Sequence, residues 1–242
     1  PAHSPLRVPA MRETLALLGL GAELPCRSVE AAERVARLAV PRQVIFGAGA
    51  PAEENAAFLA TLRRLAAVPR VPDGLLLPRL YVSRRRLAPT LGGLLFEDLI
   101  EANLMAEGYA VIHPERLPIA GQVAAYAGAR QFILAEGSAL HLAIGFIPPE
   151  APAAILCRRP PRHPRSGDFL AASVRRGVLV DAVQGGIVTL DGPAVTEHAT
   201  VSALAVLDLA ALRDRLVAAG LCRGEGWALP TQAETEARIA AA

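Results

Sequence analysis

Apolar residues along the chain follow two rhythms, one with the 3.6-residue period of helices and one in short continuous runs typical of buried strands. Helices are predicted at residues 8–18, 29–38, 52–66, 94–107, 119–127 and 138–144. Strands are predicted at residues 43–46, 79–83, 109–113, 131–135 and 153–157. From residue 79 onward the two alternate, and parallel neighbours need a crossover that is usually helical. The pattern therefore predicts an α/β fold with a parallel sheet covered on both faces.

The last third of the chain continues with shorter elements. Two strands that pair around Gly185-Gly186 are predicted at residues 177–182 and 186–190. Two further helices, the first capped by Asp208 and closed by Gly220, are predicted at residues 208–219 and 231–242.

A linker is predicted at residues 68–77, where two X-Pro steps and an Asp-Gly pair disfavour a helix. It separates residues 1–67 from a parallel-sheet domain at 78–205. The remaining residues, 206–242, form a helical segment that we expect to pack back onto that domain.

Composition narrows the class of protein. All 25 basic residues among the 242 are arginines, yet the net charge is only +2, so no broad cationic field favours nucleic acid as a partner. The cysteines, Cys26, Cys157 and Cys222, lack C-x-x-C spacing, which argues against a disulfide framework and a zinc site. No D-x-D motif is placed to bridge a metal and a diphosphate, and no apolar run reaches the ~20 residues of a membrane span.

Arginines follow the first strand of the predicted sheet, in Ser83-Arg84-Arg85-Arg86. Open α/β sheets bind ligands at the carboxyl ends of their strands, and the fork of a guanidinium matches phosphate oxygens. The alternative is an ordinary solvated turn, since the chain uses arginine throughout.

A second polar insertion, Glu136-Gly137-Ser138-Ala139-Leu140-His141, also follows a strand and opens a helix. Gly137 lets a ligand approach the backbone, Ser138 is placed to cap the helix, and free N–H groups there favour a diphosphate. Glu136 is placed to accept hydrogen bonds from sugar hydroxyls and His141 to carry a proton. The alternative is a capped helix with a partly buried histidine. Gln122, in the helix between these strands, is a third candidate, with a solvent-facing amide as its alternative.

Taken in order, five segments resemble the catalytic domain of glycosyltransferase family 61. They cover about the central third of the chain and are Tyr81-Val82-Ser83-Arg84-Arg85, the pair Glu97-Asp98, residues 107–115, Gln122, and residues 136–141. The chain departs from the family pattern at Phe96, Gly121 and Glu136, where relatives carry Asn, Glu and His.

The resemblance implies a GT-B architecture of two Rossmann-like domains facing a cleft. The chain would hold the donor-binding domain and the last part of the acceptor-side domain, residues 1–67. It implies inverting transfer of a sugar from a nucleotide-sugar donor to a glycan or glycoconjugate acceptor, in the synthesis of bacterial surface polysaccharide. We expect a cytoplasmic protein, with peripheral contact to the inner membrane as an option, and no metal or other cofactor.

The donor-binding residues that follow from these readings are Ser83, Arg84, Arg85, Glu97, Gln122, Glu136, Gly137, Ser138 and His141. No catalytic base is assigned, and Glu136 and His141 are the candidates for catalysis.

Two other functions compete with this one. Gly47-x-Gly49-x-x-Ala52 follows a predicted strand and formally matches a dinucleotide fingerprint, which would indicate an NAD(P)- or flavin-dependent oxidoreductase. Pro51 lies in that turn, and the acidic residue expected ~20 positions later would fall in the linker. The departures from the family pattern would also fit a member that binds nucleotide or glycan without turnover.

The basic, Pro-rich residues 157–165 favour a solvated loop over a contact with anionic glycan or membrane.

Overall fold

A computed structural model describes residues 9–19, 31–37, 52–65, 78–159, 174–187 and 203–242. Its strands are β1 (Leu80–Val82), β2 (Gly93–Leu94), β3 (Ala110–Ile112), β4 (Phe132–Ala135), β5 (Ala153–Leu156), β6 (Gly177–Val180), β7 (Val183–Ile187) and β8 (Leu204–Leu207). Its helices are α1 (Pro9–Leu17), α2 (Ala52–Leu65), α3 (Glu97–Ala106), α4 (Ile119–Gly128), α5 (Leu140–Phe146), α6 (Leu209–Ala218) and α7 (Gln232–Ala240).

A five-stranded parallel sheet forms the centre of the fold, with strand order β3-β1-β4-β5-β6. Every residue of β1, β4 and β5 is buried, which is why these strands read as continuous apolar runs in the sequence. The prediction of an α/β fold with a parallel sheet flanked by helices is confirmed, and the arrangement is consistent with a Rossmann-like fold.

The winding of the sheet reverses at β1. From β1 the chain passes through α3 to β3 on one side, then through α4 to β4 on the other side. A crevice opens outside the carboxyl ends of neighbouring strands where such a reversal occurs, and ligands of open α/β sheets bind there. Here that place lies between the ends of β1 and β4.

Alternate residues of each strand face two separate cores. Tyr81, Ile133 and Leu156 pack with residues of α3 and α6 on one face of the sheet. Leu80 and Phe132 pack with α4, α5 and α1 on the other. The period of two along each strand thus places helices on both faces, as predicted.

A smaller sheet of three strands, in the order β2-β8-β7, joins the core on the α3 side. The predicted pairing of residues 177–182 with 186–190 is wrong, because β6 extends the parallel sheet beside β5 while β7 pairs antiparallel with β8. Gly185-Gly186 lies inside β7 and forms no turn. The strand β8 was not predicted, and the predicted domain boundary between residues 205 and 206 falls inside it.

Two helix predictions need correction. Residues 31–37, predicted as part of a helix at 29–38, are not helical and are all exposed, so no packing surface stabilises a short helix there. The helix predicted from residue 94 begins at Glu97 instead, because Gly93–Leu94 pairs with β8.

The helices near the start of the chain pack on α4 and α5. The Glu13 carboxylate of α1 accepts a hydrogen bond from the Ile119 N–H at 2.9 Å, and the Arg63 side chain of α2 donates to the Gly145 carbonyl at 2.9 Å. Both helices were predicted. The predicted strand at 43–46, the fingerprint glycines 47 and 49 and the linker at 68–77 lie outside the described residues, and the division into domains stays a prediction.

The first C-terminal helix has both predicted caps, and the second has a capping box that was not predicted. The Asp208 side chain accepts a hydrogen bond from the Ala211 N–H at 2.9 Å, and Gly220, with φ of +69°, ends α6. The helix α7 begins with a reciprocal capping box between Thr231 and Glu234. Within the ranges given above, no helix combines the length and apolarity needed to cross a membrane.

A buried carboxylate fastens the chain after α6 to α3. Glu107 accepts hydrogen bonds from the backbone N–H of Arg223 at 3.0 Å, the backbone N–H of Gly224 at 2.6 Å and the Trp227 Nε1–H at 3.3 Å. Burial alone would raise the pKa of Glu107, but these donors outweigh it and the pKa is lowered. A carboxyl with a lowered folded-state pKa contributes stability above its unfolded-state pKa and loses it as the pH falls through the folded-state value.

We therefore expect Glu107→Gln to lower the free energy of unfolding at neutral pH by about 2 kcal/mol, because charge-assisted hydrogen bonds are lost. The difference from the wild type should shrink as the pH falls from the ordinary glutamate value of about 4.3 through the lowered folded-state pKa of Glu107. Urea unfolding across this pH range measures both effects. The exposed neighbour variant Glu225→Gln is the control, and equal stabilities of the two variants would contradict the role of Glu107.

Candidate functional site

A pocket of about 450 Å³ opens beside the end of β1 and the start of α3. Its charged lining residues are Arg84, Arg85, Glu97, Asp98 and Arg238. Its apolar walls come from the segment after β1 and from the smaller sheet, and they are Leu87, Leu94, Leu95, Ile187 and Leu204. The volume and the mixture of apolar walls with a few charged groups are typical of small-molecule sites.

Arg84 links this pocket to the crevice between β1 and β4. Its guanidinium is buried, with 7% of the residue exposed, and Nη2 donates to the Leu91 carbonyl at 2.9 Å. Its Nε is also buried and has no hydrogen-bond partner within the described ranges. Burial lowers the pKa of Arg84. The side chain therefore holds a desolvated positive charge with an unused donor.

Gly137, directly beyond the end of β4, provides the space for this side chain. A Cβ atom at residue 137 would lie 1.9 Å from Arg84 Nη1, so only a glycine leaves room for the guanidinium as it lies. The structure thus brings together the two polar insertions that the sequence places after separate strands.

Glu97, in the first turn of α3, is anchored through one carboxylate oxygen. Its Oε1 accepts hydrogen bonds from the Tyr81 hydroxyl at 2.9 Å and the Arg84 backbone N–H at 2.7 Å, and it lies 3.1 Å from Ser83 Oγ. Burial raises the pKa of Glu97, and the hydrogen bonds offset only part of that rise.

Ser83 lies beneath the pocket and connects two acidic side chains. Its Oγ donates to Glu101 Oε1 at 2.6 Å and accepts from the Arg85 N–H at 3.0 Å. Arg85 completes the loop with a 3.0 Å ion pair from Nη1 to Glu101 Oε2. His113 Nε2, at the end of β3, lies 3.7 Å from Glu101 Oε1. Ser83 is only 1% exposed, so it positions other groups and does not itself reach the pocket.

Glu136 lies at the end of β4 and bonds to the end of β5. Its Oε2 accepts from the backbone N–H groups of Arg158 at 2.9 Å and Arg159 at 3.2 Å, and its Oε1 pairs with Arg159 Nη2 at 2.8 Å. Glu136 is 3% exposed and does not line the pocket. In this arrangement its oxygens hold two strand ends together, so a sugar hydroxyl would have to share them.

Arg158 is a site residue that sequence reasoning missed. It was assigned to a solvated basic loop, yet it is only 5% exposed, and its Nε donates to the Glu136 carbonyl at 3.1 Å. Burial, and after it the positive charges of Arg84 and Arg159, lower the pKa of Arg158 to about 10. The signal that could have found it is its place directly after a parallel strand, the same signal that selected Arg84.

Like Ser83, Glu136 and Gly137, three further predicted donor-binding residues do not line the pocket. Gln122 is buried in α4, and its amide donates to the carbonyls of Pro114 at 2.8 Å and Leu117 at 3.1 Å. Ser138 and His141 are exposed. The predicted helix cap by Ser138 is wrong: α5 begins at Leu140 after a turn closed by the Gly137 carbonyl, and its N-cap, Ala139, offers no side-chain hydrogen bond. Their roles toward a donor stay predictions.

Two other kinds of site, a metal centre and a reactive thiol, can be checked against the described residues. No three or more His, Cys, Asp and Glu side chains gather there as a metal site requires. Burial raises the pKa of Cys157 to about 12 and that of Cys222 to about 11, so neither thiol is a ready nucleophile. Cys26 lies outside the described residues.

No model of a protein family and no curated protein matches the chain. The likeness to glycosyltransferase family 61 therefore stays an expectation that rests on the sequence motifs.

We predict that Gly137→Ala displaces the Arg84 guanidinium with little loss of stability, because the atom that the new methyl group meets is the end of a flexible side chain. The variant should weaken binding of inorganic pyrophosphate roughly tenfold while its melting temperature changes little. Isothermal titration and thermal unfolding measure the two effects.

The matched control is Gly121→Ala, where the added methyl group would make ordinary contacts with the Pro118 ring at 3.6 Å and Leu117 Cβ at 3.9 Å. Equal pyrophosphate affinities in the two variants would show that Gly137 does not serve the position of Arg84.

Proposed function

We propose that the chain is a glycosyltransferase that moves a sugar from a nucleotide-sugar donor to a glycan or glycoconjugate acceptor, with inversion, in the synthesis of bacterial surface polysaccharide. The reaction class comes from the order of the sequence motifs. The site supports it through one observation: the buried Arg84 guanidinium, with an unused Nε donor, lies where the sheet reverses its winding.

The positive charges of the two arginines buried at the ends of β1 and β5 favour a diphosphate ligand. Arg84 and Arg158 are both buried, and burial is the largest cause that lowers the pKa of each. The charge of Arg159 lowers both pKa values further and that of Arg84 lowers the pKa of Arg158, while the carboxylates of Glu97 and Glu136 act in the opposite direction. An anion between them would relieve that repulsion and accept hydrogen bonds from the guanidinium groups. During transfer, the same charges would stabilise the nucleoside diphosphate as it leaves.

The pocket beside Arg84 has room for the rest of a donor. Its apolar wall, which includes Leu94, Ile187 and Leu204, suits the face of a base or a sugar ring. Asp98 and Arg238 form a bidentate pair at 2.6 and 2.9 Å across its rim, where polar groups could select among hydroxyls. The second Rossmann-like domain of a GT-B enzyme and the acceptor side remain part of the proposal.

The test is binding of UDP, GDP and CDP by isothermal titration. We expect the wild type to bind at least one of them, and Arg84→Ala to bind it roughly 10- to 100-fold more weakly, because hydrogen bonds to a charged phosphate are lost. Arg86→Ala is the control, since Arg86 is exposed in the same turn and does not line the pocket. Thermal unfolding should show both variants folded.

Two outcomes would contradict the proposal. If Arg84→Ala binds as tightly as Arg86→Ala, Arg84 does not hold the diphosphate. If the wild type binds none of the three nucleotides, the chain does not use a donor of this class. Binding without release of nucleoside diphosphate from a sugar nucleotide would indicate a binding protein in place of an enzyme.

A further inference from the structure

The two carboxylate oxygens of Glu97 have different surroundings. Two donors, the Tyr81 hydroxyl and the Arg84 N–H, converge on Oε1, and Ser83 Oγ lies 3.1 Å from the same atom. Oε2 accepts no hydrogen bond from the described residues, and Glu97, which is 3% exposed, lines the pocket. Oε2 is therefore the oxygen that a bound molecule would meet, on a side chain whose direction is fixed by the contacts of its other oxygen.

The hydrogen bonds around Glu97 are compatible with its carboxylate and with its protonated form. Ser83 has a single hydroxyl proton, and the 2.6 Å contact places that proton toward Glu101. One lone pair of Ser83 Oγ accepts from the Arg85 N–H, so the other faces Glu97 at 3.1 Å. A proton on Oε2 disturbs none of these contacts, because Oε1 accepts from the Tyr81 hydroxyl and the Arg84 N–H whether or not Oε2 is protonated.

The charged neighbours leave Glu97 without a guanidinium partner. Asp98, from the same turn of α3, pairs with Arg238 of α7, and Glu101 pairs with Arg85. Among the described residues, Glu97 accepts hydrogen bonds from the Tyr81 hydroxyl and the Arg84 N–H and from no guanidinium. Burial raises the pKa of Glu97, and the negative charge of Glu101 adds to the rise. The pKa of Asp98, by contrast, is lowered by its hydrogen bonds with Arg238, so Glu97 takes up a proton more readily than Asp98.

From this geometry we infer that Glu97 is the catalytic base of the transfer, with Oε2 as the proton acceptor; the inference rests on the proposed function. The acceptor hydroxyl oxygen forms a bond to the anomeric carbon of the sugar while the bond from that carbon to the diphosphate oxygen breaks. The bonding electron pair leaves with the nucleoside diphosphate, beside Arg84. The hydroxyl proton passes to Glu97 Oε2 and then to solvent.

The first test follows the Glu97 carboxyl directly by NMR, in wild-type protein labelled with ¹³C at glutamate Cδ. The Glu97 resonance is assigned as the one missing from Glu97→Gln, or as the one missing from Glu97→Asp if the amide variant does not fold. We expect it to titrate well above the ordinary glutamate value of about 4.3. A midpoint at or below that value would overturn the assignment of Glu97 as base, whether or not the protein binds nucleotides.

The second test measures release of nucleoside diphosphate from UDP-glucose and GDP-mannose, with water as the acceptor. Glu97→Gln keeps a carbonyl oxygen for the Tyr81 and Arg84 donors, so it should still bind UDP or GDP, but release nucleoside diphosphate about 10²- to 10⁴-fold more slowly. The acid limb of the wild-type pH profile of kcat/KM should disappear in this variant. Glu225→Gln, an exposed carboxylate outside the pocket lining, should keep that limb.

The outcomes of these tests distinguish a failure of the assignment of Glu97 as base from a failure of the proposed function. If Glu97→Gln releases nucleoside diphosphate at the wild-type rate and keeps the acid limb, Glu97 is not the base. The proposed glycosyltransferase function is then unaffected. A wild type that binds nucleotide and releases none from either donor would be a binding protein, which has no base. A wild type that binds neither UDP nor GDP would remove the proposed function, and the base with it.

Discussion

The burial of the Arg84 guanidinium where β1 and β4 end is the constraint on which the rest of the site depends. A desolvated charge is tolerated only when it is hydrogen-bonded or paired. The surrounding groups follow from that requirement: the Leu91 carbonyl accepts from Nη2, Gly137 leaves space beside Nη1, and Glu97 holds the backbone of Arg84 in place. Nε is still without a partner among the described residues, and a phosphate oxygen would supply one.

Hydrogen bonds among buried polar groups also connect the apolar core to the pocket. Tyr81 belongs to the apolar core under α3, yet its hydroxyl reaches Glu97, so the buried network runs from the centre of the sheet to the pocket wall. Ser83 extends it to Glu101 and Arg85. This network restricts the motion of its members, because each of them loses a hydrogen bond if it moves. The site is therefore held in shape before any ligand arrives.

The sequence predicts an element of this structure when neighbouring residues alone determine that element. The strands of the parallel sheet were predictable since each is a continuous apolar run, whereas β2, with two residues, and β7, with Gly185-Gly186, carry no usable period. In the site, Arg84 could be selected by its place at a strand end. Arg158, just beyond the end of β5, carries the same signal. The inward direction of Gln122 could not be predicted, because tertiary contacts decide it.

The most direct measurement of the central claim is a crystal structure of the protein grown with UDP. The account predicts diphosphate oxygens within hydrogen-bond distance of Arg84 Nε, in the crevice between the ends of β1 and β4, with the rest of the nucleotide in the adjoining pocket. A UDP molecule bound elsewhere, with the Arg84 guanidinium untouched, would contradict it.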